Sequence, residues 1–258
     1  MPKKSTLKCI YCGKKYILEN CSVAPYYFDR VWKDIPQCDC LIKIEGKKQI
    51  KEDHKKEGIK LINLIRLIRG DSFGKRYQKA SFSNFDKSRN KKAWEACLEW
   101  ARNFEQHLED GKGLFITGTV GTGKTHLLAA ISDYIARIFK RKLKTRPWIN
   151  YVTSTELISQ IKNSFESHNT EEVIEGFEEC SLLIIDDIGT EKITEFSYEQ
   201  IYKIIDSRYR NMKPVIITSN LNDNEIKEKL SERIVSRIYE TCKGIKLTGK
   251  DYRLEKLK

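Results

Sequence analysis

The sequence predicts an α/β domain with a parallel sheet, and three stretches carry that prediction. Gly118-Thr119-Val120-Gly121-Thr122-Gly123-Lys124-Thr125 fits the P-loop pattern of two fixed glycines and a Lys-Thr pair. Leu182-Leu183-Ile184-Ile185-Asp186-Asp187 is an aliphatic run closed by two acids, as in a strand buried on both faces. Pro214-Val215-Ile216-Ile217-Thr218-Ser219-Asn220 repeats that arrangement with polar residues at its end. Gly113-Leu114-Phe115-Ile116-Thr117 reads as a short strand entering the P-loop. Leu127, Leu128, Ile131, Tyr134, Ile135 and Ile138 recur at helical spacing after it, so a helix begins at Lys124. A strand, a glycine turn and a helix N-terminus present backbone N–H groups and a positive dipole end, which suits polyphosphate.

Residues 118–126, from Gly118 to His126, are therefore the expected triphosphate cradle. Lys124 reaches the β- and γ-phosphates and the Thr125 hydroxyl holds Mg²⁺. Asp186 is the expected second magnesium ligand, direct or through water. Asp187 is placed to orient an attacking water, and Asn220 to sense the water or the γ-phosphate. Acids at the C-terminal end of a strand lie where doubly wound sheets bind ligands.

At 258 residues the chain accommodates one full α/β domain and a small module. A third of the residues are charged, mean hydropathy is −0.55, and no apolar run approaches the ~20 residues a membrane helix needs. The N-terminus lacks the apolar core of a signal peptide, so a cytoplasmic protein is expected. Net charge is +12 and unevenly placed: residues 1–80 carry 19 Lys and Arg against 9 Asp and Glu, the remainder 29 against 27. Such a basic front suits nucleic acid or an acidic protein surface, or merely solvates a helix.

Five of the eight cysteines fall in the first 40 residues. Cys9-Ile10-Tyr11-Cys12-Gly13 and Cys38-Asp39-Cys40 offer two thiolate pairs, and the spacing predicts a tetrahedral Zn²⁺ site on Cys9, Cys12, Cys38 and Cys40, with Cys21 as a substitute ligand. So small a segment needs metal to fold. Cys97, Cys180 and Cys242 lie among apolar neighbours and read as small core residues. The expected organisation is a zinc-binding module over 1–45, a basic helical linker over 46–80 with its hinge at 70–80, and an ATPase domain over 81–258.

Within that domain a helix is expected over 91–109. Phe82 and Phe85 read as a hydrophobic plug or an adenine shelf. The basic stretch 139–146 is either a contact for a phosphate backbone or a solvated loop. Ile149-Asn150-Tyr151-Val152-Thr153 predicts a strand, with Ser154 or Thr155 capping a helix over 156–165. Further helices are expected over 197–210 and 231–241, and a last strand at Ile245-Lys246-Leu247. Arg233 and Arg237, four residues apart, share a helix face, as a surface salt-bridge row or as an arginine finger reaching a neighbouring subunit's nucleotide.

The P-loop, Leu-Ile-Ile-Asp-Asp-Ile-Gly, Ile-Thr-Ser-Asn-Leu, Ser-Glu-Arg-Ile-Val-Ser-Arg-Ile and the terminal Gly-Lys-Asp-Tyr-Arg together resemble the DnaC/DnaI/IstB branch of AAA+ ATPases over roughly residues 80–258. The resemblance implies a five-stranded parallel AAA+ core with no separate lid domain, using ATP and Mg²⁺. It implies delivery of a hexameric replicative DNA helicase to single-stranded DNA, with self-association through Arg237 as the trans finger, Asn220 at sensor 1 and Arg253 at sensor 2. A zinc-type front is similar to DnaI-like and phage-borne loaders. Alternatives on the same engine are an IstB-like transposition ATPase and a non-hydrolysing, nucleotide-dependent helicase adaptor. Asp187 stands where that superfamily commonly has glutamate; its shorter arm implies slow turnover.

Overall fold

The computed structural model describes residues 5–8, 15–18, 71–139, 148–189 and 194–255. The chain divides into two compact units, Met1–Ile62 and Asn63–Lys258. In the first, β1 (Ser5–Lys8) and β2 (Lys15–Leu18) pair antiparallel, Ser5 opposite Leu18 and Lys8 opposite Lys15. The expected zinc ligands Cys9, Cys12, Cys38 and Cys40 all lie outside the described residues.

The second unit holds a five-stranded parallel sheet. Its strands are β3 (Gly113–Gly118), β4 (Ile149–Thr153), β5 (Leu182–Asp186), β6 (Val215–Ser219) and β7 (Cys242–Leu247), in the order β4-β5-β6-β3-β7. The unbroken aliphatic runs fill both faces. Leu114, Ile116, Leu182, Ile184 and Ile216 point into one layer; Phe115, Leu183, Ile185 and Ile217 point into the other. α1 (Lys87–Arg102) and α3 (Lys124–Phe139) cover the first layer. α4 (Ser154–Glu166), α5 (Thr170–Glu179), α6 (Glu195–Arg210) and α7 (Asp223–Thr241) cover the second. β3 and β6 are neighbours, yet the helix after β3 goes to one face and the helix after β6 to the other. Strands that diverge in this way leave a crevice at their C-terminal ends.

Several expected boundaries move, each for a local reason. The helix expected over 91–109 is two helices, α1 and α2 (Phe104–Asp110), because Asn103 leaves helical geometry and closes α1 through its N–H to the carbonyls of Glu99 and Trp100. α4 starts earlier than expected: its cap is Thr153, in a reciprocal box with Glu156, so Ser154 and Thr155 lie inside the helix. α6 starts at Glu195 rather than 197. α7 begins at Asp223, where Asn222 and Glu225 form a second capping box; the expected start at 231 falls on the internal break at Ser231, so the stretch before it is what was not expected. Ile226, Leu230, Ile234, Val235 and Ile238 bury its inner face, and the kink at Ser231 (φ 63°) lies within it. β7 runs from Cys242, three residues before the expected strand.

Residues 71–80, expected as a hinge, lie in the second unit as two short 3₁₀ turns, Asp71–Phe73 and Lys75–Tyr77. Phe73 is buried in the core there, and Tyr77 packs against it. Phe139 ends α3 as a core residue rather than opening a loop; residues 140–147, the rest of the expected basic loop, lie outside the described residues. Cys97 and Cys180 are fully buried, and Cys242 packs against the second layer, as expected.

Candidate nucleotide-binding site

The crevice beyond β3, β5 and β6 is a cavity of about 830 Å³, within the size range of small-molecule sites. Residues 120–126 line one side. Gly121 (φ 74°) and Gly123 (φ 102°) hold the loop in backbone conformations that favour glycine. Space is as restrictive as geometry: a Cβ on Gly121 would lie 1.8 Å from the Asp251 carboxylate, and one on Gly123 would lie 2.9 Å from the Phe85 ring. Thr122 Oγ1 donates to the Thr119 carbonyl at 2.8 Å and ties the turn.

Lys124 opens α3 and is buried. Its ammonium donates to the carbonyls of Gly118 (2.6 Å) and Thr119 (3.0 Å) and to Asn220 Oδ1. Burial holds its pKa below an ordinary lysine's, against the pull of Asp187 and Asp186, with the Arg253 guanidinium adding to the depression. Asn220 turns its Nδ2 to Asp187 Oδ1, so one amide bridges the cation after β3 and the acid after β5. None of these three residues is near another in sequence.

Asp186 is buried at the end of β5. Thr218 donates to its Oδ1 at 2.5 Å and Tyr151 to its Oδ2 at 3.1 Å. Thr218 Oγ1 also accepts the Asp187 N–H at 2.8 Å. Burial, then the Asp186 charge, pushes the Tyr151 hydroxyl far above an ordinary tyrosine's pKa, so it stays a donor. Asp187 itself has φ 62°, a left-handed turn just past the strand, and lines the same cavity as Asp186. A Thr125 hydroxyl and an Asp186 carboxylate on the same cavity are hard oxygen donors, which suits Mg²⁺ beside phosphates. Each Asp186 oxygen accepts one of these hydrogen bonds and retains a lone pair. Among the described residues no group of three or more His, Cys, Asp or Glu side chains is arranged to hold a metal by itself.

The opposite wall comes from before and after the sheet. Arg76, Tyr77, Lys79, Asn84, Phe85 and Arg89 line it, with Tyr252 and Arg253. Phe85 packs on Gly123 and edge-on to His126 (centroids 5.3 Å apart) and faces the cavity; Phe82 is a core residue against Trp94 and Tyr134. Both rings belong to the buried core, and Phe85 lines the cavity as well. His126 bonds the Ser81 carbonyl at 3.1 Å, and burial lowers its pKa. The C-terminal segment is pinned in place. The Asn90 amide exchanges two bonds of 3.0 Å with Thr248, Arg89 pairs with Glu255 at 2.5 Å, and the Tyr252 N–H reaches the Gly121 carbonyl at 3.2 Å. That pinning sets Arg253 on the cavity, close enough for its charge to be felt at Lys124.

Arg237 does not line the cavity. It pairs with Asp206 at 2.5 Å, donates to the Tyr202 hydroxyl at 3.2 Å and lies over the Tyr202 and Tyr209 rings. Sequence reading assigned no part to Tyr151, Thr218, Arg76, Lys79 or Arg89. Thr218 was legible as one of two hydroxyls, with Ser219, that end a buried strand; the others carried no signal, since their approach depends on which strands become neighbours.

A parallel sheet in this order, with a P-loop after one central strand, paired acids at the end of the second and an asparagine after the third, defines an AAA+ P-loop ATPase domain. Residues 76–244 match the family described as the bacterial DnaA ATPase domain, and the chain belongs to that family. It is 28% identical to YqaM of Bacillus subtilis over 224 residues, 82% of this chain and 63% of that protein. It is 28% identical to the replicative helicase loader DnaC of Buchnera aphidicola subsp. Baizongia pistaciae over 184 residues, 69% of this chain and 71% of the loader. With the chromosomal replication initiator protein DnaA of Lacticaseibacillus casei, identity is 36% over 126 residues, but this chain spans only 26% of the initiator. Among solved structures, a DnaC helicase loader matches with TM-score 0.60 and 27% identity, covering 67% of this chain and 99% of that one. DnaI matches with TM-score 0.52 and 26% identity, covering 67% and 89%. Among the described residues no helix is long and apolar enough to cross a membrane.

Proposed function

We propose that the protein is an ATP-dependent loader that delivers a hexameric replicative helicase to single-stranded DNA, its ATPase domain acting as the switch and its N-terminal unit as the helicase grip. One observation carries this reading: the ATPase domain aligns with 99% of the chain of a DnaC helicase loader, while a separate basic unit of 62 residues precedes it here.

In this reading the N–H groups of residues 121–125 and the Lys124 ammonium hold the β- and γ-phosphates. Thr125 and Asp186 hold magnesium, which when bound neutralises charge on the phosphates. Asp187 orients water, Asn220 reports the γ-phosphate to both acid and lysine, and Arg253 reads the phosphates from the C-terminal side. Arg237 leaves Asp206 to enter a neighbouring protomer's site. Cys9, Cys12, Cys38 and Cys40 bind zinc in the grip, testable by metal analysis of the purified chain.

Capture of the cell's replicative helicase by the full chain and by residues 63–258 tests the proposal. The full chain should retain helicase and the shorter one should not. Equal capture removes the grip from the N-terminal unit, and no capture by either removes the loader reading. The bond from Asn220 to the short Asp187 arm favours a second reading, a nucleotide-gated adaptor that does not hydrolyse. ATP turnover with and without single-stranded DNA separates the two.

A further inference from the structure

Tyr151 sits in β4, the edge strand beside β5, and its hydroxyl reaches Asp186 Oδ2 at 3.1 Å. With Thr218 on Oδ1, the Asp186 carboxylate is held from both neighbouring strands, which fixes its rotation and leaves a lone pair on each oxygen. An edge strand has no neighbour on its outer side, and here the cover is the turn Asp71–Phe73. The Phe73 ring lies against the Tyr151 ring with centroids 3.8 Å apart, and Phe73 is only 8% exposed. A three-residue turn has no stability of its own, so burial of that ring is what secures it. The next turn, Lys75–Tyr77, supplies Arg76 and Tyr77 to the cavity wall.

We propose that Tyr151 is the positioning residue of Asp186 for magnesium–nucleotide binding and that Phe73 holds Tyr151 in that role. The stretch by which the chain enters the ATPase domain is thereby tied to the metal acid. This rests on the reading above, in which Asp186 is the magnesium acid. Groups hydrogen-bonded behind a ligand orient it, and their loss typically costs about tenfold or more in metal affinity. An edge tyrosine that merely fills space would lower stability without regard to magnesium.

The test uses the full chain and a fluorescent ATP analogue, titrated in magnesium and again in EDTA. Tyr151→Phe keeps the ring and removes the hydroxyl. It should lose about tenfold in affinity in magnesium and match the wild type in EDTA. Phe73→Leu should shift the magnesium titration in the same direction by a smaller factor. Asp186→Asn serves as the reference and should reduce the magnesium titration to the EDTA value. An equal loss in both buffers for Tyr151→Phe, or no loss in either while Asp186→Asn responds, overturns the proposal for Tyr151. An unmoved Phe73→Leu overturns the ring's part. If Asp186→Asn itself keeps the full magnesium increment, what fails is the assignment of Asp186 as the magnesium acid.

Discussion

Replacing Lys124 with methionine keeps the stem and removes the ammonium, which has opposite consequences for the free and nucleotide-bound protein. In the free chain Lys124 is a buried cation satisfied by two loop carbonyls and the Asn220 amide. Its depressed pKa records that the charge is not favoured there. Loss of those bonds is offset by removal of the desolvated charge and by water entering from the cavity, so the melting temperature without nucleotide should change by only a degree or two. With ATP and magnesium at 100 times Kd, the wild type gains about 2.7 kcal/mol by mass action. For a domain of this size that is a rise of roughly 5–11 °C. Lys124→Met, deprived of the charge facing the phosphates, should gain less than about 1 °C under the same conditions. Thermal unfolding with and without ATP reads both numbers. A variant that rises as far as the wild type would refute the placement of the triphosphate.

Three further outcomes follow from the same contacts. Arg208 is fully buried and donates to the carbonyls of Phe177, Cys180 and Pro214 at 2.7–2.9 Å, stapling the end of α5 to the start of β6; Arg208→Ala should cost about 3–5 kcal/mol, and denaturant unfolding showing under 1 kcal/mol would contradict it. His126 has a folded pKa lowered by burial from 6.5, so the unfolded chain takes up the proton first as pH falls. Its contribution to stability is therefore present above about pH 6.5 and lost below it, and His126→Gln should show a shallower fall in melting temperature from pH 7.5 to 5.5 than the wild type does. Arg237 pairs with Asp206 within the chain. If it serves a neighbour, Arg237→Ala should abolish the dependence of ATP turnover on protein concentration, and Asp206→Asn should move that dependence to lower concentration; an unaltered profile in both variants argues against a finger in trans.

Legibility in the sequence followed the physical range of each signal. Residues 118–125, Asp186, Asp187 and the three aliphatic strands could be read because their requirements are local: glycine where φ is positive, apolar side chains on both faces of a strand, acids at its end. The helix start at Ser154 was misplaced and the stretch of α7 before the break at Ser231 was missed because side-chain caps at Thr153 and Asn222 decided them, where hydrophobic periodicity has no voice.

What the chain determined by itself was the phosphate-binding loop and the acids that face it, since a few adjacent residues suffice for each. What only the tertiary structure decided was the company they keep. Placing β3 beside β6 brings Lys124 to Asn220, and placing β4 beside β5 brings Tyr151 to Asp186. The burial of Phe73 and Phe85 folds the entering segment onto the same crevice. Strand order is settled by how the two helical layers bury the sheet, a sum over the whole domain that no short stretch contains.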